Sequence, residues 1–492
     1  MSDDASPENV LFVVLDTVRK DHLSVYGHDR ETTPNLAEFA EQARVYEEAV
    51  APAPWTVPSH GSMFTGQYPS QHGATQENPY LEGERTLAES LSAAGYETAC
   101  YTSNAWITPY THLSDGFDEQ DNFFELLPGE FLSGPLARAW KAMNDVDALR
   151  KAVAGLINVG NYFHKYFESE GSDSKTPQAI EQTKAFIEDA DNDFFAFVNL
   201  MDAHLPYHPP EAYREKFAPG VDPDDVCQDT KLYNAGAYDI DDEEWADIRS
   251  LYDAEIAYMD HHLGQLFEWL QSTGRWAETT VVVCADHGEL FGEHGIYSHE
   301  FALYEPLINV PLLIKHPGLP ADRDEETQVE LLDLYHTILD ATDVDPLGTP
   351  LDRTRSLLST DYRAFEDGTF AVAEYHYPVI ERQNLETKAD SAGVEIPENS
   401  RFDSRIRTAR TPVAKYVRNE RIRDEAYRLD ADPDEQQNLI DTDDPAITAV
   451  EAALERFEER VGGEWNEVET DDVLDDVGAE AKEQLDALGY VE

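Results

Sequence analysis

Asp16, Thr56, Asp286 and His287 are the residues in this chain whose types could do chemistry together. Asp16 stands in Leu15-Asp16-Thr17, and the acid–imidazole pair stands in Ala285-Asp286-His287-Gly288-Glu289. A third run, Trp55-Thr56-Val57-Pro58-Ser59-His60-Gly61, offers a hydroxyl. Two carboxylates and one imidazole suit Mn²⁺, Zn²⁺ or Mg²⁺, with Ca²⁺ less favoured because of the nitrogen ligand. A free hydroxyl is a poor nucleophile, and a bound cation lowers its pKa, so Thr56 is a candidate nucleophile. Two plainer roles stay open on these residues alone. Asp286-His287 could be a salt-bridged pair at a strand end, and Thr56 could be a helix N-cap.

Further residues could handle the oxygens of a bound anion. His204 lies in Asp202-Ala203-His204-Leu205-Pro206-Tyr207, and His299 lies twelve residues after His287. Either could protonate a leaving oxygen or neutralise an anion; His299 is the first choice for the acid. Asn104 could donate its amide to a phosphoryl or sulfuryl oxygen. His22 and His72 read as loop residues or as residues behind the site.

These groups need a scaffold that brings distant segments together. Val10 to Leu15 and Val281 to Cys284 are apolar, largely β-branched runs, so Asp16 and Asp286 fall at the carboxyl ends of buried strands. That edge is where open parallel sheets bind ligands. Strands are expected at 10–15, 97–102, 194–200, 279–284 and 310–315. Helices are expected at 34–44, 86–94, 178–189, 242–271 and 329–341. The long one has apolar positions from Ile248 to Leu270 near a 3.6 period, and Pro58 to Gly61 should start a short helix whose amides face an anion near Thr56. The alternation implies an α/β fold, a largely parallel mixed sheet flanked by helices on both faces. Short segments at 370–375, 405–410, 413–418 and 425–429 suggest a small C-terminal antiparallel sheet, with a helix at 445–460. The expected division is a catalytic unit over 1–354, an antiparallel unit over 355–464 and an acidic tail over 465–492, with 485–491 docking back on the body. Within the first unit, 136–176 reads as a helical insertion. Its residues 136–166 carry five Lys/Arg and two Asp, a local excess of positive charge.

The bulk composition excludes several classes. Acidic residues outnumber basic ones 100 to 36, for a formal net charge of −64. The excess is spread along the chain, which suits a solvated surface in a high-salt cell, where self-repulsion is screened. Nonspecific nucleic-acid binding is disfavoured by the same charge. Cys100, Cys227 and Cys284 give no even disulfide framework. No apolar stretch approaches the ~20 residues of a membrane span, and no basic-then-apolar leader opens the chain. A cytoplasmic protein is expected.

Over nearly its full length the sequence resembles the sulfatase family of the alkaline-phosphatase superfamily. The runs that carry the resemblance are Val14 to Arg19 with Asp21-His22-Leu23, Thr33-Pro34-Asn35-Leu36, and Thr56 to His60 with Phe64-Thr65-Gly66 and His72-Gly73. Others are Ala94 to Thr98, Asp286 to Glu289 with Gly292 to Gly295, Arg405 to Thr408, Lys415-Tyr416, Tyr427-Arg428-Leu429, Asp432 to Gln436, Asn438-Leu439 and Leu488-Gly489-Tyr490. The resemblance implies one divalent metal on Asp16, Asp286, His287 and Thr56, and a covalent ester on Thr56. It matches His204 to a residue that contacts the substrate anion, and His299 to a position where relatives often carry Lys. Sulfatases proper carry Cys or Ser followed by x-Pro-Ser-Arg and oxidise it to formylglycine. Here the nucleophile position is Thr, whose β-methyl closes that route, so no formylglycine is expected. His60 replaces the Arg and is grouped with Asn104 as substrate-binding. Thr17 replaces a second Asp, and His287 stands where many sulfatases have Asn.

The expected activity is metal-dependent cleavage of a phosphate or sulfate ester through Thr56, with phosphodiester or phosphate preferred. The substrate would be an anionic ester, possibly glycan- or lipid-linked. A true sulfuric ester hydrolase, a transferase moving a charged group onto a glycan or alcohol, and a non-catalytic anion-binding protein are the alternatives.

Overall fold

The computed structural model describes residues 9–123, 174–364, 369–397 and 399–462. Residues 136–173 of the insertion expected over 136–176, the acidic tail and its docking at 485–491 lie outside the described residues, and Thr176 opens the helix Thr176–Asp189.

An eight-stranded sheet organises the chain. In sequence order its strands are β1 (Asn9–Leu15), β2 (Arg44–Val50), β3 (Glu97–Thr102), β4 (Glu119–Asp121), β5 (Phe194–Leu200), β6 (Thr279–Cys284), β9 (Asn309–Lys315) and β10 (Arg323–Glu330). A two-stranded ribbon of β7 (Leu290–Phe291) and β8 (Tyr297–Ser298) lies between β6 and β9 in the chain. Across the large sheet the order is β10-β2-β9-β6-β1-β5-β3-β4. β1 runs parallel to both neighbours, β5 and β6, while β9 runs antiparallel to β2 and β6. The sheet is therefore mixed and mostly parallel, as expected. Val10 to Val14 and Val281 to Cys284 are fully buried, because helices cover both faces of a parallel sheet. Each such side chain contributes about 1.5–3 kcal/mol of burial free energy.

The long helix spans Asp242–Ser272 and is capped by the Asp241 carboxylate, which accepts from the amides of Glu243 and Glu244. Its buried stripe includes Ile248, Leu251, Tyr252, Ile256, Met259 and Leu263. Two expectations need correction. The helix expected at 34–44 ends at Ala40, and Arg44 opens β2, an acidic strand that reads from sequence as helix continuation. The helix expected at 329–341 begins only at Asp333, because Arg323–Glu330 is the edge strand β10. Both strands are rich in acid, Glu47 and Glu48 half-buried in β2, and Asp324 and Glu330 buried in β10, which dilutes the apolar signal.

The C-terminal sheet is antiparallel, with β11 (Ala371–Tyr375), β12 (Ile406–Arg410), β13 (Lys415–Asn419) and β14 (Glu425–Tyr427) side by side. The helix Pro445–Val461 packs on it through Ile447, Val450, Leu454 and Phe457. A helix at Val379–Ala392 has no counterpart among the expected elements. Among the described residues no helix is long and apolar enough to cross a membrane.

Candidate active site

The register of the central strands sets the site. Val14 lies opposite Asn199 on one side and Cys284 on the other, and Thr102 lies opposite Asn199. The carboxyl ends of β3, β5, β1 and β6 therefore finish in one row. Asp16 comes directly after β1, and Asp286 comes after β6 and Ala285.

Thr56 arrives from a different direction. It is the first residue of the helix Thr56–Thr65, entered from an extended Trp55. Trp55 holds the N-cap position, so Thr56 is not the cap. Pro58 falls in the first turn, where backbone N–H groups have no intrahelical partner, so its missing donor is tolerated. The helix ends at Gly66 in the left-handed region. The whole helix is buried, and its amino end faces the strand termini.

One amide ties two of these segments together. Asn104 Nδ2 donates to Asp16 Oδ2 at 2.8 Å and to Thr56 Oγ1 at 3.2 Å. Asn199 Nδ2 donates to the same Asp16 oxygen at 3.0 Å, and its own carbonyl accepts from Thr102 Oγ1 at 3.0 Å. The other Asp16 oxygen, Oδ1, accepts from Thr17 Oγ1 at 3.3 Å. Asp286 is likewise polarised: its Oδ1 accepts from the amides of Thr17 at 3.2 Å and His287 at 3.0 Å. His287 Nδ1 bonds the Gly288 carbonyl at 3.0 Å, which leaves Nε2 unprotonated in the neutral ring. Asp286 Oδ2 and His287 Nε2 are fully buried, lie 3.3 Å apart and have no hydrogen-bond partner among the described residues. Buried polar atoms are normally satisfied. Donor atoms of Asp16, Asp286 and His287 all lie within 4.8 Å of one another. Two orphaned atoms beside a second carboxylate fit a divalent cation.

The electrostatics agree. Burial opposes the charge on Asp16, but His204, His287 and the Asn199 amide outweigh it and hold its pKa below the ordinary value. Burial and the Asp16 charge together push Asp286 well up. Two carboxylates this close cannot both ionise without a cation between them. Burial, helped by His299, lowers His287 to about 3, so its imidazole is neutral and able to ligate.

Gly288 is required by close approach. A Cβ there would meet the Pro306 carbonyl oxygen at 1.9 Å. That contact lets the loop after β6 fold back against the chain before β9, where Gly288 N donates to Leu307 O at 2.9 Å.

The histidines take distinct places. His299 lies against His287, with ring centroids 4.6 Å apart, and against His204 at 5.6 Å. Its Nδ1 is 3.6 Å from Glu289 and its Nε2 is 3.9 Å from Glu300. Burial works against its charge, but Glu300 and Glu289 more than offset this and raise it to about 9. His204 bonds the Leu205 carbonyl through Nδ1 at 2.7 Å and is half-buried. His60 sits one turn inside the Thr56 helix. Its Nδ1 bonds the Thr56 carbonyl at 2.9 Å and lies 3.6 Å from Asp286 Oδ2, and its ring packs on Phe64 and Phe197. Burial lowers it to about 4. Like Asp286 and His287, it is fully buried.

Several residues of the site escape a reading of the sequence. Asn199 is the polar break in an otherwise apolar strand, and that break next to a strand end is the signal that could have found it. Glu289 stands out only as part of a motif. Lys231 bridges Glu300 at 3.0 Å and Glu381 at 2.5 Å, which places a salt-bridged cluster beside His299. A second group of metal-type residues, His22, His28 and Asp253, involves the segment just beyond the first strand. Its carboxylate is already engaged by His22 at 2.7 Å, His28 at 3.2 Å and Arg30 at 2.7 Å, so its charge is matched within the chain.

An α/β sheet with a hydroxyl, paired carboxylates and an imidazole at its carboxyl edge is an arrangement suited to a metal-dependent hydrolase acting on ester bonds. A family model described as Sulfatase matches residues 8–344. The chain belongs to the sulfatase family. It is 25% identical over 457 residues to an uncharacterized sulfatase of Escherichia coli (strain K12), covering 88% of this chain and 83% of that protein. The fold is shared with the phosphonate monoester hydrolase of Agrobacterium radiobacter, at a TM-score of 0.66 and 20% identity, over 93% of this chain and 96% of the other. It is also shared with a structure solved with D-glucosamine-2-N,6-O-disulfate, at a TM-score of 0.65 and 17% identity, over 93% and 98% of the two chains.

Proposed function

We propose that the chain cleaves a phosphate ester, with phosphodiester or phosphate monoester preferred to sulfate ester, through a covalent intermediate on Thr56. The observation that supports this reading is the shared Asn104 amide, which links Thr56 Oγ1 to Asp16, the carboxylate whose donor atom lies within 4.8 Å of those of Asp286 and His287. Asp16 Oδ1, Asp286 Oδ2, His287 Nε2 and Thr56 Oγ1 would hold the cation, Mn²⁺, Zn²⁺ or Mg²⁺ ahead of Ca²⁺. Such an ion, when bound, favours the alkoxide of Thr56 and withdraws charge from the ester oxygens.

Thr56 Oγ1, as alkoxide, forms a bond to phosphorus while the bond to the leaving oxygen breaks. The His299 imidazolium gives its proton to that oxygen. Water then attacks the Thr56 ester, returning a proton to His299 and the alkoxide to Thr56. His204 and Asn104 bind equatorial oxygens; His60, expected with Asn104 to bind substrate, is proposed instead to hold the Thr56 turn through its bond to the Thr56 carbonyl. Thr cannot be oxidised to the aldehyde, so the formylglycine route is closed, which favours phosphorus over sulfur.

A sulfate ester on a glycan is the second reading, favoured by the fold shared with the protein solved with a glucosamine disulfate. The test is a panel of aryl phosphate, phosphodiester and sulfate esters offered to the metal-loaded protein and to Thr56→Ala. Phosphodiester turnover that falls by about 10⁴-fold or more in Thr56→Ala is expected. Activity that survives the substitution would remove Thr56 as nucleophile, and sulfate turnover above phosphate would favour the second reading.

A further inference from the structure

Thr17, directly after Asp16, has a φ of +58°. A β-branched residue rarely occupies the left-handed region, because its Cβ crowds the backbone there. Such a conformation persists only where the surroundings impose it. Here the restraint comes from Tyr252, in the Asp242–Ser272 helix. Its hydroxyl donates to the Thr17 carbonyl at 2.7 Å and accepts from the Arg19 amide at 2.8 Å. The ring is fully buried against Phe291 and Tyr207, at centroid distances of 5.0 and 5.4 Å. The hydroxyl therefore bridges the two ends of the Thr17–Arg19 turn from a rigid helix.

The consequence lies at the carboxylates. In its left-handed conformation Thr17 donates its amide to Asp286 and its hydroxyl to Asp16, and so bonds both acids. Beyond it, Arg19 Nη1 donates to the Glu289 carbonyl at 3.2 Å and pairs with Glu293 at 2.7 Å, joining the loop after β1 to the loop after β6.

We propose that Tyr252 is a positioning residue of the cation site: its hydroxyl locks Thr17 in the left-handed conformation and so fixes the separation of Asp16 and Asp286. This rests on the reading of those residues as cation ligands. Tyr252 acts through the Thr17 backbone rather than on a ligand side chain. Partners that orient metal ligands without touching the metal carry much of a site's affinity.

The test uses the full chain and Mn²⁺ alone, with affinity measured by competition against a chelator. Tyr252→Phe keeps the ring and removes the hydroxyl. It should bind Mn²⁺ about 10–100-fold more weakly than wild type. Thr17→Gly in the same chain should restore most of that loss, because glycine takes the left-handed conformation without strain. A ring that merely fills the core predicts no such rescue. Unchanged affinity in Tyr252→Phe, or a loss that Thr17→Gly leaves in place, overturns the inference. Should Tyr252→Phe fail to fold, the double variant carries the test: it should fold and bind near wild type, and failure to do so overturns the inference. Wild-type protein that takes up no Mn²⁺ or Zn²⁺ would overturn the cation reading itself, and this inference with it.

Discussion

The buried ionisable groups at the joint between the two sheets and those at the edge of β1 and β6 are built on opposite plans. At the joint, Lys415 sits between Glu305 at 3.2 Å and Glu435 at 2.8 Å. Arg410 pairs with Glu48 at 2.7 Å and with Glu305 at 3.0 Å. Each charge there faces an opposite charge from the chain. At the carboxyl edge of β1 and β6, two carboxylates face each other and a neutral imidazole stands beside them. The donors that reach those carboxylates are amides and a hydroxyl. The joint pairs its charges within the chain, although burial and the nearby Glu305 still raise Glu435 to about 7; the edge sets like charges together. A buried carboxylate near a cationic side chain reads as architecture, and the same carboxylate near its like reads as a place for a ligand.

The contrast predicts opposite responses to removing one charge. The largest effect belongs to the joint. Lys415→Met leaves Glu305 and Glu435 buried without their shared cation, and should cost about 3–5 kcal/mol in urea unfolding. The cation affinity of the folded fraction should not change. Retained stability would mean the joint is less closed than its distances indicate.

Next comes His299. Its Glu289 and Glu300 neighbours hold it near 9, so the acid is present below that pH and lost above it. Turnover of esters with poor leaving groups should fall as pH rises through about 9. His299→Gln should lower that turnover by about 10²–10³-fold and abolish the alkaline limb. Activated aryl esters should be affected less. A limb that persists in the variant would assign it to another group.

The smallest effect has the opposite sign to the joint. Asp286→Asn removes the carboxyl that the metal-free fold must keep protonated beside Asp16, and should stabilise the metal-free chain at neutral pH by about 1–3 kcal/mol. The sign comes from linkage. A carboxyl whose folded pKa is raised supports the fold below its ordinary value and loses that support as pH rises. Metal-free wild type should therefore weaken from about pH 4 upward relative to the variant. A destabilised variant would mean that the Asp286 charge is already matched within the protein.

Much of the site was legible because strand ends are legible. Val10 to Leu15 and Val281 to Cys284 announce buried strands, and the residues just past a buried parallel strand lie at its functional edge. Thr56, His204 and His299 were found by their neighbours in sequence and by family resemblance. Asn199 was hidden by the strand it belongs to: its apolar neighbours outweigh one amide until the register shows it level with Val14. Tyr252 was hidden by periodicity, since a tyrosine on an apolar helix stripe reads as packing. The strands β2 and β10 were missed because their burial does not alternate: β2 buries residues in pairs around Glu47-Glu48, and β10 buries the polar Asp324, Gln328 and Glu330, so neither shows a period of two. The lock on Thr17 could not be read at all, because a backbone angle leaves no mark in residue type.

On the proposed reading, Asp16, Asp286 and His287 together leave room for one dication that the chain does not itself supply. Elemental analysis of purified wild type, Lys415→Met and Asp286→Asn, each dialysed against excess Mn²⁺ and then against buffer, tests it directly. One tightly held ion per chain is expected in wild type and in folded Lys415→Met, and none in Asp286→Asn. An ion that stays in Asp286→Asn at full stoichiometry would contradict it.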